Sequence, residues 1–266
     1  MSESRNRAFM YGESVFTTAR MNAGSFLDWE YHFERLSRGV EYVYGPFTDG
    51  DDWLALLKNR LESRWSQEDG DKVLRITIYR EQARGLRRLG LASVTDLKIH
   101  VSALPYDSQR TKGKTLKLRT TSAIPRPHWW PSYLKAGNYL EVILAQKVFL
   151  RPGDDDLLFT SSSDTILSSS VANIFVVRHN KLYTPPVGPN VLEGIMRRKV
   201  LEMAPDIFDE VLETETTLDQ LYKADGVFGT NSVRGPFLVD RVDDHEINFD
   251  QDFLRKFELL RDRTLA

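Results

Sequence analysis

The chain has 266 residues, and its 36 Lys and Arg against 38 Asp and Glu give a formal net charge of −2. This balance carries no electrostatic signature of nucleic-acid or anionic-membrane binding. The absence of Cys excludes disulfides, Cys-ligated zinc, iron–sulfur clusters and a thiolate nucleophile. The apolar runs are much shorter than the roughly 20 residues of a membrane helix. The N-terminus, MSESRNRAF, has no apolar signal core, which predicts a cytoplasmic protein.

The first part of the sequence alternates between strand and helix patterns. A strand from Phe9 to Met21 precedes a hairpin turn at Asn22-Ala23-Gly24. Asp28 is the expected N-cap of a helix whose apolar residues, at positions 33, 36, 40 and 43, form one stripe. A further helix is predicted over 52–65, with strands over 73–79 and 97–104. The polar segment 106–113 is the predicted linker between domains.

Strand and helix patterns also follow one another in the second part. Strands are predicted over 115–120, 157–160, 174–178, 181–183 and 227–229, and helices over 138–149, 193–203 and 250–265. Because strands and helices do not alternate strictly, two α+β domains fit best, at residues 1–105 and 114–266.

Motifs for metal or triad chemistry are missing from the sequence. The five histidines are scattered, and they form neither HExxH nor a pair at ligand spacing. There is also no GxSxG turn and no P-loop. The sequence therefore predicts no metal site and argues against a His-dependent hydrolase.

Several short stretches, taken in order along the chain, resemble the class IV pyridoxal-phosphate enzymes. This family includes branched-chain aminotransferases, D-amino-acid aminotransferases and 4-amino-4-deoxychorismate lyases. The matching stretches are FMYGESVFTTAR (9–20), HFERL (32–36), LKAGNYLEVILA (134–145), VANIF (171–175), LYTPP (182–186), GIMR (194–197) and TNSVRG (230–235). The resemblance implies a two-domain α+β fold like that of D-amino-acid aminotransferase, with pyridoxal 5'-phosphate between the domains, and a homodimer.

The resemblance also implies which residues bind the cofactor. Lys135 would form the Schiff base with pyridoxal phosphate and later move the proton at the substrate's α-carbon. Its amine would be kept nucleophilic by a neighbouring cation or an apolar pocket. The phosphate would be bound by Arg35 and by the helix start at residues 194–196. The implied cofactor-binding residues are Arg35, Gly194, Ile195, Met196 and Ser232, together with Ser168.

Substrate recognition is less defined by the sequence. Arg84 and Arg234 are candidates for the carboxylate of an amino-acid-like substrate, although each is also typical of a surface arginine. Thr18 offers a hydroxyl on the early strand. Tyr139 either places its hydroxyl near the cofactor's phenolic oxygen or packs in the core.

Ser168 is the main departure from the family pattern. The family usually has a Glu five residues before the Asn of this stretch, where it salt-bridges the pyridine nitrogen. A serine hydroxyl can form a hydrogen bond there but cannot favour the protonated nitrogen as an anion does. A weaker electron sink favours elimination over transamination. Few residues precede Phe9, so the family's opening hairpin is not expected.

The sequence therefore predicts a lyase that converts 4-amino-4-deoxychorismate to p-aminobenzoate and pyruvate through Lys135. One alternative is a class IV transaminase of small amino acids. Another is a cofactor-binding homologue with little or no turnover.

Overall fold

The computed structural model describes residues 6–22, 24–65, 70–81, 93–107, 113–123 and 126–265. The chain forms two compact units: Met1–Asp107 with Tyr133–Tyr139, and Ser108–Ser132 with Leu140–Ala266. The sequence-based boundaries place Tyr133–Tyr139 in the second domain, whereas the structure groups this segment with the first unit. It groups with the first unit because its backbone hydrogen-bonds to a strand of that unit. Lys135 therefore belongs to the first unit.

The first unit is an antiparallel sheet with helices. Its elements are α1 (Arg7–Tyr11), β1 (Ser14–Asn22), β2 (Ser25–Phe26), α2 (Trp29–Tyr44), α3 (Trp53–Trp65), β3 (Lys72–Arg80) and β4 (Leu97–Pro105). The strand order is β2-β1-β3-β4. Asp28 stands at the expected N-cap position of α2, but it has a φ of 56° and its side chain makes no capping hydrogen bond. The backbone there adopts the left-handed region, which Asp tolerates better than most residues.

The two faces of this sheet differ in character because strand side chains alternate. On β1, Val15, Thr17, Ala19 and Met21 are buried, and α2 packs against this strand. The apolar stripe predicted for α2 supplies Leu36 and Val40 to the core, and both are buried. The opposite face carries Phe16, Thr18 and their partners on β3. Phe16 and Thr18 on that face belong to the candidate site, as does the buried Thr17 on the other face.

The second unit contains a closed ring of strands. Its elements are β5 (Leu116–Thr121), α4 (Leu140–Phe149), β6 (Asp156–Thr160), β7 (Ile166–Ser169), β8 (Asn173–Arg178), β9 (Lys181–Thr184), α5 (Ile195–Met203), β10 (Glu210–Glu213), α6 (Leu218–Tyr222), β11 (Gly226–Asn231), β12 (Gly235–Val242), β13 (His245–Glu246) and α7 (Gln251–Leu265). The order β8-β11-β12-β5-β6-β7 returns to β8 through a β7–β8 pairing, so these strands form a barrel.

Two apolar clusters stabilise the second unit. One takes alternate residues of the barrel strands, among them Leu118, Ile174 and Val227. The other takes residues of the opposite strand faces, such as Phe175 and Phe228, with side chains of α5 and α7: Val200, Phe253 and Phe257. α5 is thereby held on the outside of β8 and β11. Within the described ranges, no helix combines the length and apolar character that crossing a bilayer requires.

Candidate active site

Lys135 lies on a short segment that pairs with the N-terminal half of β1. β2 pairs with the last two residues of β1 only, so this edge is open to another partner. The amide of Phe16 donates to the carbonyl of Lys135 over 2.9 Å, and the amide of Gly137 donates to the carbonyl of Ser14 over 2.9 Å. A Cβ at position 137 would lie 2.1 Å from Ser14 Oγ. Glycine therefore permits the close approach that fixes the Lys135 backbone.

The amine of Lys135 is partly buried between two aromatic side chains. Its Nζ donates to Tyr139 Oη over 3.3 Å and lies 4.8 Å from the centre of the Phe16 ring. Burial lowers the pKa of Lys135, and the charges of Arg35 and Arg75 lower it further, although Tyr139 acts in the opposite direction. A lowered pKa makes the neutral, nucleophilic amine more available.

Arg35 is buried on the core side of α2 instead of extending into solvent. Its Nη2 donates to Thr17 Oγ1 over 3.3 Å, and Thr17 Oγ1 lies 2.5 Å from His32 Nδ1. Because Thr17 accepts from Arg35, its own proton is available to His32 Nδ1. Burial, followed by the charges of Arg35 and Lys135, holds the pKa of His32 well below its ordinary value. Arg35 is thus a buried cation beside a neutral imidazole, which suits the binding of an anion.

The open face of the sheet adds an arginine that the sequence analysis missed. Thr18 pairs with Arg75 of β3, so both side chains lie on the same face as Phe16. The Arg75 guanidinium lies 3.6 Å from the centre of the Phe16 ring. The alternating pattern of β3 makes Arg75 look like an ordinary solvent-facing residue, and only the strand register reveals its neighbours. Arg84, the arginine expected from the sequence, lies outside the described residues.

In the second unit, three polar residues form a row across neighbouring strands. Ser168 of β7 pairs with Asn173 of β8, and Asn173 pairs with Thr230 of β11. The Asn173 side chain reaches the start of α5, since a Cβ on Gly194 would lie 2.1 Å from Asn173 Oδ1. Gly194 is the N-cap of α5, so the helix begins beside this row.

The beginning of α5 has the features of an anion site. The first N–H groups of a helix have no partner within the helix, and its dipole favours negative charge. Gly194, Ile195 and Met196 provide these groups. Nearby, Thr230 is 1% exposed, and its buried hydroxyl has no hydrogen-bond partner in the part of the chain that the structure describes. A buried hydroxyl without a partner is costly, which suggests that a ligand satisfies it. Thr230 belongs to the TNSVRG stretch but was not selected from the sequence.

The other residues expected in this unit lie at the turn between β11 and β12. Ser232 is partly buried there, in a turn where Asn231 Oδ1 accepts from the amides of Val233 and Arg234. Arg234 Nη2 donates to the carbonyl of Lys114 over 3.0 Å, and its guanidinium covers the Phe237 ring. The structure thus brings Lys135, Tyr139, Arg35 and Thr18 together in the first unit. In the second unit it brings Ser168 and residues 194–196 together with Thr230.

Known proteins are similar to most of this chain. The sequence model of the family Amino-transferase class IV matches residues 14–242. The aminodeoxychorismate lyase of Bacillus subtilis (strain 168) is 26% identical over 252 residues, which cover 92% of this chain and 82% of the relative.

Solved structures confirm the predicted α+β fold. The 4-amino-4-deoxychorismate lyase of Pseudomonas aeruginosa has a TM-score of 0.81 at 23% identity, covering 98% of this chain and 95% of the other. A T.th. branched-chain amino acid aminotransferase, solved with pyridoxamine 5'-phosphate, has a TM-score of 0.79 at 23% identity, covering 99% and 90%. Because the family's sequence model matches residues 14–242, the protein is a member of the class IV aminotransferase family.

Proposed function

We propose that this chain is a pyridoxal-phosphate-dependent lyase that converts 4-amino-4-deoxychorismate to p-aminobenzoate and pyruvate. The observation that carries the proposal is the amine of Lys135, which is partly buried, has a lowered pKa and lies beside the Tyr139 hydroxyl. The choice of substrate is supported by the lyases among its relatives. Ser168 supports elimination over transamination because it is uncharged.

Each unit, taken by itself, presents residues that fit part of the cofactor. In the first unit, the Lys135 amine suits the aldehyde, and the buried cation of Arg35 suits the phosphate. In the second unit, the start of α5 and the unsatisfied Thr230 hydroxyl suit the phosphate as well. Ser232 remains a candidate for the same role through its motif. The fit is supported by the pyridoxamine 5'-phosphate in the solved aminotransferase structure.

Each side chain of the first unit has a defined part in the proposed reaction. When bound, pyridoxal phosphate supplies an electron sink for the substrate's α-carbon. Lys135 Nζ holds the cofactor and then moves the proton at that carbon, while Tyr139 Oη orients the amine. Arg75 and Thr18 lie on the same sheet face as Phe16, which supports them as candidates for binding a substrate carboxylate. We retain Arg84 and Arg234 as further candidates for this role.

The chemistry of the products explains why a weak electron sink suffices. Together, p-aminobenzoate and pyruvate contain every atom of 4-amino-4-deoxychorismate, so no second substrate is needed. Loss of pyruvate leaves an aromatic ring, and aromatisation supplies the driving force. A transaminase, in contrast, must store the amino group on the cofactor and return it to a keto acid.

The first experiment is the absorption spectrum of the protein with pyridoxal phosphate, with and without borohydride reduction. We expect a visible band and a reduced adduct on Lys135, and we expect Lys135→Ala to form no such adduct. The reduced protein is digested, and the modified residue is identified by mass spectrometry. A wild-type protein that stays colourless with excess pyridoxal phosphate would remove the proposed mechanism.

A second assay separates the lyase from the alternative, a transaminase of small amino acids. The Lys135–Tyr139 pair serves either reaction, because both begin by moving the α-proton. We expect pyruvate from 4-amino-4-deoxychorismate without any added keto acid. Turnover that requires a keto acid and consumes it stoichiometrically would establish the transaminase. A spectrum unchanged by every amino substrate would indicate a cofactor-binding homologue without turnover.

The homodimer implied by the family is part of the proposal. α4 exposes apolar side chains along one side, including Leu140, Ile143, Leu144 and Val148, each at least half exposed. An apolar patch of this kind marks a protein interaction site. We propose that a second copy of the chain covers it. The cytoplasmic location inferred from the sequence stays a prediction.

A further inference from the structure

We infer that Ser168 is a positioning residue whose hydroxyl anchors the loop that carries the start of α5. Through this loop it would set the phosphate site, so this part of the inference rests on the proposed function. The loop, residues 185–194, connects β9 to α5. Ser168 would then act on the cofactor's phosphate end through the backbone, and its replacement would alter affinity before it altered the cofactor's electronic properties.

Two side chains of the barrel hold alternate carbonyls of this loop. Ser168 Oγ donates to the carbonyl of Asn190 over 2.8 Å. Asn173 Nδ2 donates to the carbonyl of Leu192 over 2.8 Å. Because Ser168 and Asn173 pair directly where β7 meets β8, their side chains lie on one face. The loop is therefore hydrogen-bonded to the barrel where β7 pairs with β8.

An irregularity in β7 gives Ser168 this direction. Ser169 pairs with Leu158 and Ile166 pairs with Thr160, so the register between β6 and β7 shifts by one residue. Ile166 belongs to the apolar cluster of the barrel. A bulge of this type re-aims a side chain, and here it turns Ser168 toward the loop.

The far side of the loop is also fixed. The Asn190 side chain accepts from the amide of Arg126 over 3.0 Å and donates to its carbonyl over 3.2 Å. The amide of Glu193 donates to the carbonyl of Ser132 over 2.9 Å. Asn190 is thus held by its carbonyl on the barrel side and by its side chain on the other. Loss of the Ser168 bond would leave the barrel side of Asn190 unsupported.

The direction of the proton decides what else Ser168 can do. A serine hydroxyl has a single proton, and in this structure the proton is directed to the Asn190 carbonyl. Only its lone pairs remain for another group. An ionised carboxylate has no proton to donate. The Glu typical of the family could therefore not form this bond to the Asn190 carbonyl.

Hydrogen exchange and ligand titration of the full-length chain test this inference. The variants are Ser168→Ala, Ser168→Thr and Ser168→Glu. Ser169→Ala is the matched control, because Ser169 is a buried serine next in sequence whose hydroxyl, among the residues that the structure describes, accepts a hydrogen bond from the nearby Val171 amide and does not reach the loop. Exchange is followed at the amides of Val191 and Glu193. Dissociation constants are measured by absorbance for pyridoxal phosphate and for pyridoxal, which lacks the phosphate.

For Ser168→Ala we expect faster exchange at both amides and an approximately fivefold to tenfold weaker affinity for pyridoxal phosphate, the usual effect of one lost hydrogen bond. Affinity for pyridoxal should change less than about twofold, because the altered contact acts at the phosphate end. Ser168→Thr should restore both properties, since it keeps the hydroxyl. Ser168→Glu should weaken binding more than Ser168→Ala, and Ser169→Ala should behave as the wild type.

Unchanged exchange in Ser168→Ala would overturn the inference, and so would equal weakening of both ligands. A shifted absorption band of the bound cofactor with normal exchange would assign Ser168 to the ring instead, which also overturns it. If the wild type binds neither ligand, the proposed function fails. The exchange data alone would then still decide whether Ser168 anchors the loop.

Discussion

Three ionisable groups of the first unit, Lys135, Arg35 and His32, influence one another's charge. Arg35 lowers the pKa of both other groups, and Lys135 lowers that of His32. His32 is the group that stays neutral, because a neutral imidazole costs less free energy to bury than a third cation. The motif around Lys135 identifies the lysine from sequence. The lowered pKa of Lys135 cannot be predicted from the sequence, because it depends on burial and on Arg75, which lies on a distant strand.

The buried His32 predicts a stability that falls with acidification. Its pKa lies well below the ordinary value in the folded state, whereas the unfolded chain has the ordinary pKa of about 6.5. Below that pH the unfolded state binds one proton more, so the free energy of unfolding decreases by up to about 1.4 kcal/mol per pH unit. Above it this contribution is constant. His32→Gln should lack the slope in urea unfolding between about pH 7 and pH 5.

The control for this prediction is His128→Gln, since His128 is exposed. It should keep the pH dependence of the wild type. If His32→Gln and the wild type lose stability in parallel on acidification, the slope belongs to other groups, and His32 is not the buried neutral imidazole described here.

The neighbours of Lys135 predict opposite shifts of its pKa. Tyr139 raises the pKa of Lys135, whereas Arg75 lowers it. Tyr139→Phe should therefore move the pH midpoint for trapping pyridoxal phosphate on Lys135 downward, and Arg75→Gln should move it upward. Trapping by borohydride over a pH series measures both midpoints. Shifts in the same direction would contradict the assignment, because a general loss of structure has no reason to separate the two variants.

At the scale of elements, the Lys135 segment shows how a strand edge positions a reactive group. The short β2 leaves half of β1 available, and the segment around Ala136 pairs with Val15 in antiparallel fashion. Backbone hydrogen bonds, and not a helix, therefore fix the lysine. Sequence periodicity does not reveal such a pairing, because a bridge of a few residues has no repeating pattern.

Gly137 is the residue on which this pairing depends. Gly137→Ala would place a Cβ 2.1 Å from Ser14 Oγ, and we expect a loss of about 1–3 kcal/mol in the free energy of unfolding, as in other overpacked sites. Trapping of pyridoxal phosphate on Lys135 should slow as well. Chemical denaturation and borohydride trapping measure the two effects.

A second substitution identifies the cause of that loss. Ser14→Ala removes the hydroxyl, and the next nearest atom to the new Cβ is 3.5 Å away, an ordinary contact distance. The double variant should therefore recover most of the stability. Gly188→Ala is the control, since a Cβ there meets no atom within 4 Å. If Ser14→Ala gives no recovery, the clash is not the reason.

For the whole molecule, sequence patterns predict those helices and strands whose position depends on residues close together in the sequence. The stripe of α2 and the alternation of β3 place these elements correctly, because burial of one face is repeated along the sequence. β12 was not predicted: Pro236 argues against a strand, yet it stands near the beginning of the strand, where proline is tolerated. The β7–β8 pairing that closes the barrel and the unsatisfied hydroxyl of Thr230 depend on residues distant in sequence. No single stretch of the sequence therefore predicts them.

The exposed side of α4 predicts an oligomer. Val142 and Ala145 are buried within the chain, whereas Ile143 and Leu144 are about half exposed. An exposed apolar side of a helix marks a protein interaction site, so contacts within the chain cover only part of the apolar surface of α4. We expect Ile143→Lys to dissociate the homodimer, because a dimer would have to bury the new charge without a partner. Sedimentation equilibrium measures the mass directly.

Leu259→Lys on α7 is the matched control, since Leu259 is an exposed leucine of the same unit away from this helix. It should leave the dimer intact. A wild-type protein that is monomeric at all concentrations would contradict the prediction, as would a dimer that Ile143→Lys does not weaken. If Ile143→Lys yields a folded monomer, its trapping of pyridoxal phosphate on Lys135 shows whether the first unit can bind the cofactor without the second copy.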